Sequence, residues 1–161
     1  MSEETIEDPG VRTREEKLAL WGEGPWVDEP DRVEFRHAGL PCLITRHPDL
    51  GTLCGYVAVP PSHPWHGKGN PPVRVHGGCN YANECAHRIC HVPEPGEPAN
   101  VWWFGFDCGH AFDLAPMWAR ANFAKMFGNK VIYRDFVYME GQVRSLAEQL
   151  NLLVQVEPPA S

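Results

Sequence analysis

Residues 32–59 read RVEFRHAGLPCLITRHPDLGTLCGYVAV, and the placing of turn residues within them decides the fold. Arg32 to Arg36, Pro41 to Arg46 and Thr52 to Val59 carry β-branched and aromatic side chains and are separated by Ala38-Gly39 and by His47 to Gly51. Short runs of this kind cut by turn residues predict strands with tight connections, so the stretch is expected to form a three-stranded antiparallel meander. Cys42 and Cys54 lie inside these runs and are expected to be core thiols, because cysteine commonly behaves as a small buried hydrophobe.

Outward from the meander, Val73 to Val75 reads as a short strand and Val101 to Phe106 as a central, largely buried one. Pro60 to Pro72, with five prolines and two glycines, is expected to cross the surface as an irregular loop. Its Trp65, between His63 and His66, is a candidate for touching a ligand, since loops carry recognition. The rigid run Val92-Pro-Glu-Pro-Gly-Glu-Pro98 excludes helix and suggests a fixed wall.

Asp113 to Phe127 has helical composition, with helix allowed from about Pro116 onward. Phe136, Met139, Val143, Leu146, Ala147, Leu150 and Leu153 recur at helical spacing, so a helix over Asp135 to Val154 is expected, capped by Asp135. Strands first and helix last predict an α+β domain over residues 31–156, with a mainly antiparallel sheet and the C-terminal helix packed on one face. Residues 1–30 read as a flexible lead-in with a short helical stretch near Glu15 to Trp21, and residues 157–161 as a frayed tail.

The chain has 161 residues, 43% of them hydrophobic, enough for one core. A net charge of −7 and the lack of a basic run argue against an extended nucleic-acid partner. No run approaches the roughly 18 apolar residues of a membrane span, and the acidic start has no leader pattern, so a cytoplasmic place is expected. Six cysteines in that setting point to free thiols or a metal rather than a disulfide framework.

Four of the six cysteines and four of the eight histidines fall between His76 and Asp113, and this clustering marks the expected site. Asp107-x-x-His110-x-x-Asp113, with His76 arriving from a neighbouring strand end, suits a divalent metal, zinc foremost, with His91 or Asp113 as base or orienting group. A second reading closes a structural zinc site from Cys79, Cys85, Cys90 and Cys108, with His87, His91 or His110 replacing one thiol. A third makes Cys108 a nucleophile activated by His110, His76 or His91. Gly77-Gly78 is either an anion-holding turn or simply a tight one. Arg74, Arg88 and Tyr81 complete the residues expected to meet a small anionic ligand or nucleotide.

The stretches His76-Gly-Gly-x-x-Tyr81, Ile89-Cys-His-Val-Pro-Glu-Pro-Gly-Glu97, Trp102-Trp-Phe-Gly-Phe-Asp-Cys-x-His110 and Tyr133-Arg-Asp-x-x-Tyr138 resemble a family of small uncharacterised bacteriophage and prophage proteins. The resemblance covers residues 24–152. It departs at Cys79-Asn80, where the family has an apolar residue and threonine, and at Met117 to Lys130, where the family has a glycine-rich link. A phage setting implies either a small metal-dependent hydrolase of nucleotides or phosphoesters, or a non-catalytic protein that sequesters a host nucleotide signal.

Overall fold

The computed structural model describes residues 6–119 and 131–158. Five strands, β1 (Arg32–His37), β2 (Leu40–Arg46), β3 (Leu53–Val59), β4 (Tyr81–Glu84) and β5 (Trp102–Asp107), form one sheet in the order β1-β2-β3-β5-β4. Every neighbouring pair is antiparallel. The expected meander is present, its first turn made by Ala38 and Gly39, both at positive φ as a two-residue hairpin turn requires. Between the strands and the last helix lies a short helix, α2 (Pro116–Ala119), starting at the proline that permits it. The remainder of the helix expected up to Phe127 falls outside the described residues.

Helix α3 (Phe136–Leu152) packs across one face, burying Met139, Val143, Leu146, Ala147 and Leu150. They meet Cys42, Ile44, Leu53, Val57, Phe104 and Phe106 in the main core. The α+β architecture is therefore the one the strand and helix order predicts. Close approach of helix and sheet requires a glycine at position 55, where a Cβ would lie 2.5 Å from Val143 Cγ2. Asp135 caps the helix as expected, its carboxylate accepting from the Tyr138 amide at 2.8 Å. The opposite face carries a second cluster of Leu43, Cys54, Tyr56, Ala58, Ile89, Val101 and Trp103.

Three expectations are corrected. Val73 to Val75 belongs to no strand. Its valines pack on the main core, while its backbone is held by α3: Gln149 bonds both polar groups of Arg74 and Gln142 accepts from the His76 amide. Helix glutamines thus supply the hydrogen bonds that a sheet neighbour would otherwise give. His63 and Trp65 face inward, not toward a ligand, with His63 Nε2 donating to the Leu150 carbonyl and Trp65 Nε1 to that of Val156. They tie the loop to the last turn of α3 and to the residue that follows its 3-10 extension.

The third correction concerns the segment before β1. Helix α1 (Arg14–Trp21) and a 3-10 turn at Pro25–Val27 are seated on the domain, burying Trp21, Trp26 and Val27. The anchor is a charged cluster. Arg46, fully buried on β2, donates to Asp31 at 2.7 Å, to the Gly51 carbonyl at 2.7 Å, to Tyr133 at 2.9 Å and to Glu29 at 3.2 Å. Lys17 of α1 reaches the same Asp31 at 3.0 Å and two backbone carbonyls at 2.8 Å. Such a cluster persists only because each charge has partners, and removing one leaves the others buried and uncompensated. Arg46→Leu is therefore expected to lower stability by about 3–5 kcal/mol, read as a drop in the urea midpoint with an unchanged slope.

Candidate functional site

The connection after β5 and the approach to α3 meet at one end of the sheet. A parallel bridge between Asp113 and Ile132 draws together the segments on either side of α2. Asp113 is thereby carried inward until its side chain is 2% exposed. Three donors converge on it: His76 Nε2 at 2.8 Å, Arg134 Nε at 3.0 Å and the His110 amide at 3.1 Å. Burial pushes the Asp113 carboxyl upward, but the bonds from His76, Arg134 and the His110 amide outweigh it and hold its pKa below the ordinary carboxylate value.

An ionised Asp113 is an acceptor only, so His76 carries its proton on Nε2. In the neutral ring Nδ1 is left to accept, and the Tyr138 hydroxyl lies 2.8 Å from it. The result is an ordered chain, Tyr138 to His76 to Asp113, in which a neutral imidazole takes a bond from the phenol and gives one to the carboxylate. Arg134 closes the arrangement, its guanidinium 5.2 Å from the Tyr138 ring centroid. The Tyr138 hydroxyl is pushed above its ordinary pKa by burial, opposed by Arg134 and reinforced by Cys108 and Asp113.

His110 stands beside this chain, its ring centroid 5.8 Å from that of His76. Gly77, at φ +69°, makes the contact possible, because a Cβ there would fall 2.0 Å from His110 Nε2. Asp107 is turned away toward Asn80, which donates to it at 2.8 Å, and its other oxygen is 3.6 Å from His110 Nε2. Among the described residues, the potential metal donors that gather within 4.8 Å of one another are His76, Cys108 and Asp113. Asp113 and Cys108 thus take the places expected of Asp107 and His110. Successive residues of a strand point to opposite faces, so Asp107 and Cys108 at the end of β5 part company.

The other expected residues fall elsewhere. His91 lies at the far end of β5, its ring 5.4 Å from that of Trp103. Four residues of strand, about 13 Å, separate Trp103 from Asp107, so His91 is not the base of this site. Cys85 and Cys90 are joined in a disulfide, which overturns the free-thiol expectation for these two and with it the structural-zinc reading, while Cys42, Cys54, Cys79 and Cys108 are free thiols. A hairpin closed by the Ala86–Ile89 bridge brings their Cα atoms to 4.7 Å, within disulfide range. Cys108 is buried against Met139, 3.1 Å away, and burial drives its thiol well above its ordinary pKa, which opposes a nucleophilic role. The Gly78 amide is spent on the Val75 carbonyl at 2.9 Å, so Gly77-Gly78 is a tight turn. Arg74 sits along α3, and Tyr81 and Arg88 face a cavity on the other side of the sheet.

Arg134 and Tyr138 lie in the quoted Tyr133-Arg-Asp-x-x-Tyr138 motif but carry no expected site role; the Asp135 cap between them brings the guanidinium beside the phenol ring. No family model matches the chain, and neither a curated protein nor a solved structure matches it. Among the described residues no helix is long and apolar enough to cross a membrane.

His91 generates a prediction about stability. Both its ring nitrogens are buried without a hydrogen-bond partner. Burial lowers its pKa below the usual histidine value, with Glu34 and Glu97 opposing. A depressed folded pKa means stability that is full above the unfolded value near 6.5 and lost as pH falls through the folded one. His91→Phe is expected to keep or raise the urea midpoint at pH 7 and to flatten its decline below about pH 6.5.

Proposed function

We propose that the protein is a small hydrolase of phosphorylated or nucleotide-type ligands, with His76 as its acid–base group. The observation that supports this is the Tyr138–His76–Asp113 chain. When the Tyr138 hydroxyl gives up its proton, Nδ1 of His76 receives it, and the ionised Asp113 on the far side of the ring stabilises the imidazolium that forms. Burial disfavours a standing phenolate, so the Tyr138 oxygen attacks, or draws a proton from a water, only as its own proton passes to His76, a base that the buried Cys108 thiol lacks. Arg134, beside the phenol and bonded to Asp113, offers positive charge where an anion would gather. His110, exposed at the rim, is placed to hand a proton to a leaving group. A phage accessory role in the cytoplasm belongs to the same proposal, resting on the motif resemblance.

A second reading keeps the notion of a divalent metal, zinc foremost, and is favoured by the approach of His76, Cys108 and Asp113 within 4.8 Å. A cation there would replace the proton between His76 and Asp113 and would need the Cys108 thiol ionised. Arg134 competes with it for Asp113, which is why the metal-free chain stands first.

Incubation of the protein with a nucleotide and phosphoester panel, with and without chelator, tests both. Conversion that survives chelation and falls by roughly 10²–10⁴ in Tyr138→Phe and His76→Ala supports the proton chain. Conversion lost on chelation and in Cys108→Ser, with stoichiometric zinc by mass spectrometry, supports the metal. Depletion of a panel member that is recovered intact after denaturation replaces both with the sequestering function. A panel left neither converted nor depleted rejects the proposal.

A further inference from the structure

The face of the sheet opposite α3 holds a cavity of about 430 Å³, lined by His47, Cys54, Tyr56, Tyr81, Arg88 and Asp107 among others. Its floor follows from strand register. Cys54 stands opposite Asp107, and Gly105 lies between Tyr56 and Tyr81 on the flanking strands. Those two tyrosines meet edge to face, ring centroids 5.3 Å apart, so the floor presents aromatic surface. Tyr138, His76 and Asp113 do not line this cavity, and the two regions approach at its rim, where Asp107 is 3.6 Å from His110 Nε2.

Two charges of opposite sign face the cavity without closing on each other. Arg88 projects from the disulfide-bonded hairpin of residues 85–90 and is steadied by the Arg46 carbonyl at 3.1 Å and by Asp8 at 3.9 Å. Asp107 is steadied by Asn80 at 2.8 Å and by the Gly109 amide at 2.9 Å. His47 accepts the Asp49 and Leu50 amides on Nδ1, which leaves Nε2 as a donor. Burial, aided by Arg88, also lowers the pKa of His47, in keeping with a neutral ring. A strongly anionic group placed here would meet Asp107, and a cationic one would meet Arg88.

A neutral, flat and strongly dipolar body satisfies both. We infer that this cavity binds a nucleobase or nucleoside, whose ring packs on Tyr81 and Tyr56, whose carbonyl or ring-nitrogen edge accepts from Arg88 and whose N–H edge donates to Asp107. Its volume is within the range of small-ligand pockets, and aromatic stacking with charge-assisted edge contacts is the chemistry that recognises a base. The inference stands independently of the hydrolytic reading and supplies the binding side of a nucleotide ligand should both hold.

Calorimetric titration of the His76→Ala protein separates the two, since it requires no turnover. The probes are adenosine, guanosine, cytidine and uridine, with inorganic phosphate, phenylalanine and tyrosine as contrasts. Saturable binding of at least one nucleoside with Kd of about 1 mM or tighter is expected, with weakening of roughly tenfold or more in Asp107→Asn and in Arg88→Gln. Asp107→Asn keeps the shape of the site and guards against a folding defect in the arginine variant. No nucleoside binding at several times that concentration overturns the inference. Equal binding to Asp107→Asn, or binding of phosphate or the amino acids without any nucleoside, does so too.

Discussion

Arg46 is the residue through which the parts of this protein are fitted to one another. It leaves β2 with no contact to water and must find acceptors inside, because an unpaired guanidinium in the interior is far more costly than a paired one. Asp31 satisfies it and recruits Lys17, fixing α1. Glu29 satisfies it from another side and extends a second oxygen to the Phe136 amide at the start of α3. Tyr133 comes from the segment that leads into the same helix. The start of α3 is thus placed by the Arg46 cluster through Glu29 and Tyr133, and Arg134 and Tyr138 are placed with it. Whatever chemistry Tyr138 and His76 perform inherits its geometry from a cluster that touches neither.

Much of this was legible in the sequence where one physical signal dominated. Turn residues between β-rich runs marked the meander, and a three-to-four residue apolar repeat marked α3 along with its Asp135 cap. The docked segment before β1 was missed because its attachment is electrostatic. Lys17, Asp31 and Arg46 look like surface charges in a sequence, and nothing local says that they meet. Val73 to Val75 was misread for a related reason: alternation reports which side chains point inward, while a strand also needs a hydrogen-bonding neighbour, and here helix glutamines take that part.

The clustered histidines show how far residue type alone can lead. His76 is held by carboxylate and phenol, while His110 lies exposed beside it. His91 has no partner on either nitrogen, and His87 occupies a positive-φ turn position at the tip of a disulfide hairpin. Proximity in sequence placed all four near one another, and the two-residue period of β5 together with the length of the 85–101 connection dispersed them. Of the residues expected at the site, the side chains of His76 and Asp113 join in one network. The partner that completes it, Tyr138, came from α3, more than sixty residues away from His76 in sequence.

The end of β5 therefore divides rather than gathers. Asp107 faces the cavity with Cys54 and Asn80, and Cys108 faces the α3 side near His76 and Asp113. Two polar environments stand back to back across one strand, separated by a single peptide unit and joined at the rim by His110, whose amide serves Asp113 while its ring approaches Asp107. A shift of β5 register by one residue would exchange the two faces and destroy both sites at once. The dense aromatic run that precedes them, Trp102 to Phe106, holds the strand against that shift: Trp103 fills one face while Phe104 and Phe106 fill the other, and none can change sides without emptying a packed core. The bulky strand interior is thus what keeps two small, chemically distinct ends in place.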